Sequence, residues 1–85
     1  MEDVTTRIIE VLRASGFTAE ELTACAEREL RLRERVYPER IKMGKMSAAF
    51  AREEIARMRA VLAVVRALPK TEPVQAGLFG GGVQR

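Results

Sequence analysis

Histidine is absent from this 85-residue chain, and cysteine, proline and aromatic residues are scarce: one Cys, three Pro, three Phe and one Tyr. Each scarcity removes a class of behaviour. Without His, and with Cys25 the only thiol, there is no His/Cys ligand cluster for a metal and no imidazole to activate a nucleophile. A single cysteine cannot form an intramolecular disulfide, so a reducing cytoplasm is the default compartment. Long hydrophobic runs are missing too. The stretch from Ala60 to Leu68 is interrupted by Arg66 and is far too short to cross a bilayer. The opening MEDVTT is acidic, not the basic start of a signal peptide. No stretch alternates apolar and polar residues as a half-buried strand would. The aromatics are not interleaved with the basic residues, as base stacking would require.

What remains is a helical composition: 47% hydrophobic and 32% charged, with a net charge of +3. At this size a chain makes one domain with a modest core, and it gains from self-association or a partner. The charge is unevenly spread. Residues 1–27 carry two Arg against six acids, and residues 28–45 carry seven basic residues against three acids. Such a dipole suits an acidic partner or an antiparallel self-pairing.

The spacing predicts three helices. In the first, Val4, Ile8, Val11, Leu12 and Ser15 recur every three or four residues, with Asp3 or Thr5 as cap and Gly16 as terminator. The second opens on TAEE, a capping box with Glu21 three residues after Thr18. Leu22, Cys25, Glu29, Leu32 and Val36 then follow a heptad stripe that Ala26 and Leu30 widen. Pro38 is expected to end this helix, because it has no amide hydrogen and disfavours a helical Tyr37. A connector of about ten residues, with Pro38 opening a short helical turn and Gly44 closing it, leads to Ser47 as cap of the third helix. There Ala51, Ile55, Met58, Leu62 and Val65 form one stripe, flanked by Phe50, Val61 and Leu68, and Pro69 closes it. The expected fold is all-α: an antiparallel hairpin of the second and third helices, crossed by the first, spanning 1–68. Residues 69–85 read as a flexible or extended tail.

Cys25 on an apolar stripe reads as inert packing and not as a nucleophile. Glu29 on the same stripe reads as a partly exposed flank or the partner of Arg57 or Arg59; a polar device at a dimer seam is the alternative. The glycines at 80–82 follow no strand and open no helix, so they do not form a phosphate loop. Nothing calls for a cofactor, and the expected protein is not an enzyme. Arg28, Arg31 and Arg35 share one face of the second helix, Arg52, Arg59 and Arg66 one face of the third, and Lys42 and Lys45 lie in the connector. Such a surface can neutralise phosphates. Interleaved acids fit equally well with a solvated, ion-paired face.

Residues 30–58 resemble small proteins encoded by bacteriophages and prophages. The resemblance is carried by Arg31, Arg35, Val36, Tyr37, Pro38, Gly44, Lys45, Met46, the Glu54–Ile55 pair and Met58. It implies a phage-type origin and no particular activity. The segment QAGLF at 75–79 resembles the pentapeptide by which bacterial replication and repair proteins bind the DNA polymerase sliding clamp. Gln75, Leu78 and Phe79 match its defining positions, and Ala76 stands where Leu is commoner. The resemblance implies an extended peptide whose Gln75 bonds the rim of a pocket while Leu78 and Phe79 fill apolar subsites. Residues 69–74, if extended, span about 20 Å, enough to carry the motif clear of the helices. The alternative is that Leu78 and Phe79 cap the open end of the hairpin. The expectations are therefore a clamp-binding protein, a nucleic-acid-binding or regulatory module, or an inhibitor of another host protein, in each case a cytoplasmic homodimer.

Overall fold

The computed structural model describes residues 3–71, which form three helices: α1 (Val4–Ser15), α2 (Ala19–Lys42) and α3 (Ala48–Arg66). About 80% of the described residues are helical, and none of these is in a strand. The architecture is the expected antiparallel hairpin of α2 and α3 with a shorter helix before it.

The helix starts follow local chemistry. Asp3 accepts from the Thr6 amide and Ser47 from the Phe50 amide, each satisfying one of the orphan donors of a first turn. The Thr18 capping box is complete. The Glu21 amide donates to the Thr18 hydroxyl at 3.1 Å, and the Thr18 amide donates to the Glu21 carboxylate at 2.8 Å. Gly16 ends α1 in the left-handed region at φ 83°. Gly44 does the same for α2 at φ 75°. Around Gly44 the Lys45 amide donates to the Arg40 carbonyl and the Gly44 amide to the Ile41 carbonyl, the double bond pattern of a Schellman turn.

Pro38 does not end α2; it lies inside it. The helix runs one further turn, to Lys42, so the connector shrinks to residues 43–47 and Lys42 belongs to the helix. The proline forgoes one backbone hydrogen bond, and its ring crowds the Glu34 carbonyl. Three features hold the helix together across it. Pro38 is on an exposed side, Tyr37 and Ile41 are half-buried, and the Schellman turn fastens the last carbonyls.

The core lies in the α2–α3 seam. Ala19, Ala26, Ala51 and Leu62 are buried, Leu30, Arg33, Tyr37, Ile55, Met58 and Val65 half-buried. The α3 stripe is the expected one, although its flanking Phe50 and Val61 are exposed. The α2 stripe is rotated from the expected one. Ala19, Ala26, Leu30, Arg33 and Tyr37 face the seam, while Cys25 is exposed and Leu32 is 41% exposed. Small alanines at the contact let the two helices approach closely. Cys25 is therefore not a packing residue.

The expected crossing of the hairpin by α1 is barely realised. Only Leu12 of α1 is buried, and Val4 and Val11 are largely exposed. The molecule measures 47 × 38 × 14 Å. With helix axes 8–10 Å apart, the smallest dimension admits two helix layers and no more.

Pro38→Ala is expected to stabilise the fold by about 1–3 kcal/mol, since alanine restores the amide and removes the clash. Leu62→Ala is expected to cost about 2–5 kcal/mol as the largest side chain buried in the seam. Urea unfolding followed by circular dichroism measures both; no gain for Pro38→Ala would mean that the helix is already interrupted there.

Candidate functional site

Three surfaces surround the seam, and their chemistry differs. One flat side of the hairpin is an ion-pair ladder. Arg59 donates to Glu34 at 3.0 Å, Arg66 to Glu27 at 3.0 Å and Lys70 to Glu20 at 2.9 Å. The acids stand seven residues apart on α2, which puts all three on one face. They fix the antiparallel register, with Leu62 at the level of Leu30. Each pair is solvent-exposed, so each adds little energy, but a wrong register would separate all three. The hydrogen bond to Glu20 raises the Lys70 ammonium above its ordinary value.

Two of the expected basic residues are thus committed to acids within the fold. Arg59 and Arg66 face α2 and are not a free phosphate-binding surface. Glu29 does not meet Arg57 or Arg59. It pairs with Arg33 at 2.7 Å along α2, while Arg57 pairs with Glu54 at 2.7 Å along α3. The hydrogen bond from Arg33 to Glu29 raises the guanidinium above its already high ordinary value. Glu29 remains the partly exposed flank that its position suggested.

The second surface is the outer side of α2, facing away from α3. Arg28, Arg31 and Arg35 are all exposed there, and no ion pair involving them occurs among the described residues. They rim a shallow cleft of about 340 Å³ with Glu29 and Leu32. Because α2 continues through Pro38, Lys42 falls seven residues after Arg35 and extends the same row. It is partly offset by Glu39, 3.5 Å away. Lys45 sits beyond Gly44, outside the row. The row spans about 21 Å from Arg28 to Lys42 at 1.5 Å per residue.

The third surface is apolar and was not foreseen as a site. Ile8, Val11 and Leu12 of α1 meet Leu22 of α2 and Leu68 after α3 around a cleft of about 320 Å³. The α1 stripe was legible in the sequence; which residues of the hairpin it would face was not. Gln75, Leu78 and Phe79 lie outside the described residues. The last described residue, Thr71, follows Lys70, whose pair with Glu20 puts the exit of the chain beside the start of α2. Among the described residues no group of three His, Cys, Asp or Glu converges to hold a metal ion, and no helix is long and apolar enough to cross a membrane.

Compared with known proteins, the chain matches no family model, no curated protein and no solved structure.

Replacing Arg28, Arg31 and Arg35 together by Gln is expected to leave stability within about 0.5 kcal/mol of the parent, because none of the three is engaged in the fold. A drop in thermal midpoint of many degrees would show that these side chains hold the helices together.

Proposed function

We propose that this chain is a small non-enzymatic, phage-type protein that docks on the bacterial DNA polymerase sliding clamp through Gln75, Leu78 and Phe79, and so modulates host DNA replication or travels with it. The observation that carries this reading is the segment QAGLF itself, placed four residues after the last described residue. The position of the exit supports it. The chain leaves the hairpin at the end formed by the start of α2 and the end of α3, while the connector at 43–47 lies about 36 Å away, the length of α2. A bound clamp would meet one end of the hairpin and leave the other end free.

The energetics of such a contact are those of a short anchored peptide. Phe79 contributes the largest apolar surface, Leu78 a second buried side chain, and Gln75 a paired amide. Phe79→Ala is expected to weaken clamp binding by about 2–4 kcal/mol, Leu78→Ala by about 1.5–3 kcal/mol and Gln75→Ala by about 1–2 kcal/mol. The thermal midpoint should stay unchanged in all three. Calorimetric titration of a peptide of residues 70–85 into a bacterial clamp measures the contact directly. No binding at about 1 mM peptide, an affinity weaker than about −4 kcal/mol, removes the reading. A lower midpoint for Phe79→Ala would instead place that side chain against the helices.

A second reading rests on the outer face of α2. The four-residue row Arg28, Arg31, Arg35 and Lys42 suits a phosphate backbone or an acidic protein. Affinity for duplex or single-stranded DNA should then fall steeply with salt. The Arg28/Arg31/Arg35→Gln variant should bind more weakly, with a shallower salt slope in a fluorescence titration. No DNA binding at low salt removes this reading and leaves the first untouched.

A further inference from the structure

Helix α2 carries two apolar stripes, and the hairpin uses one. Ala19, Ala26, Leu30 and Tyr37 face α3. The second stripe is the heptad Leu22, Cys25, Glu29, Leu32 and Val36. At 100° per residue it is turned to the side of the hairpin opposite the Glu20, Glu27 and Glu34 ladder. Helix α3 shows the same asymmetry. Phe50, Val61 and Val64 turn to that side and are 52%, 46% and 64% exposed. The register fixed by the ladder sets Leu32 at the level of Val61. Helix α1 reaches only the end of this face, at Leu22 and Leu68. Phe17 stands beside Leu22 and Cys25 at that end; beyond it Leu32 on α2 and Phe50, Val61 and Val64 on α3 are exposed, with Glu29 and Val36 half-buried between them.

We infer that this face is the interface with a second copy of the chain, joined with the two α2 helices antiparallel, so that two hairpins form a four-helix bundle. Three observations select this occupant. A heptad stripe is the pattern that packs one helix against another, not one that receives an extended peptide. The charges of α2 that are not already taken up by the Lys70–Glu20 and Lys42–Glu39 pairs are self-complementary when antiparallel: Glu21 stands in its first turn and Arg40 in its last. Reversing a second α2 over the first brings each acidic end to a basic end, and opposes the two helix dipoles favourably. Finally, the slab shape leaves a small core with three alanines among its five buried apolar residues, and a second copy supplies the missing burial.

The arrangement has a register. A twofold axis passing between Leu30 and Arg31 sets Cys25 against Val36 of the second copy, Glu29 against Leu32, and Glu21 against Arg40. Glu29, already paired with Arg33, then lies at the margin of an apolar centre made by Leu32, Val61 and Val64. The two Cys25 residues stand about 16 Å apart along the helix axis, too far for a disulfide.

Light scattering of the full chain at high micromolar concentration tests the interface. The expected particle has twice the 9.5 kDa mass of one chain. Leu32→Glu with Val61→Glu should weaken self-association by about a hundredfold and give monomers that keep their helical circular dichroism. Ala56→Glu, on an exposed position outside this face, should leave the dimer intact. A parent chain that is monomeric overturns the inference, as does a double variant that stays dimeric. Should the double variant lose its helix, Cys25 decides. A bifunctional maleimide with a spacer near 16 Å should join two chains, whereas mild oxidation should not. Ready formation of a direct Cys25 disulfide, or no cross-linking by the spacer, overturns the antiparallel arrangement.

Discussion

The α2–α3 seam has to hold nearly everything else in place with very little material. Its buried residues are mostly alanines, and Leu62 is the one large side chain among them. Alanine contributes little apolar area, but it costs no side-chain entropy and lets two helices approach closely along their length. The seam therefore gains from closeness and continuity more than from bulk. This explains why α2 is long, why it persists through Pro38, and why the ends of both helices are so fully capped. A short seam built from these residues would not balance the entropy of ordering the chain. The ion-pair ladder adds selection of register to this contact: three exposed pairs contribute little to stability, but a shift of one helix against the other breaks them together.

Local chemistry was the legible part of the fold. The Thr18–Glu21 box, the Ser47 cap and the left-handed Gly16 each depend on a few neighbouring residues and stand where the sequence placed them, while the choice between Asp3 and Thr5 as cap of α1 falls to Asp3. Pro38 was misread because the rule applied there is local too. It weighs a lost hydrogen bond and a steric clash, and it contains no term for the half-buried Tyr37 and Ile41 on either side, which keep α2 against α3. The inward stripe of α2 was misread for a different reason. The helix has two apolar stripes about 80–100° apart, and periodicity alone cannot rank them. The heptad through Leu22, Cys25 and Leu32 was the more regular of the two, and it is the one turned away from the seam, with Cys25 and Leu32 exposed.

The surfaces divide in the same way. The row Arg28, Arg31, Arg35 could be read from helix arithmetic alone, because those residues share one element. Lys42 joined it only once α2 was seen to continue. That Arg59 and Arg66 are spent on Glu34 and Glu27 depends on a tertiary register that no sequence spacing states. The same holds for the cleft between α1 and Leu68. Gln75, Leu78 and Phe79 differ from all of these: the resemblance they carry is contained in five consecutive residues and needs no fold to be read.

The polarity of the ladder has a mechanical consequence. Lys70 and Glu20 form its outermost rung, at the open end of the hairpin, where α1 is only lightly attached. Local opening of a helical hairpin starts where packing is thinnest, so the Lys70–Glu20 rung, which lies beyond the end of α3, gives way before those at Arg66 and Arg59. Tension on the segment that follows Thr71 is therefore met first by this single exposed pair and by residues 67–70, which lie outside any helix, and only then by the end of α3 and the seam.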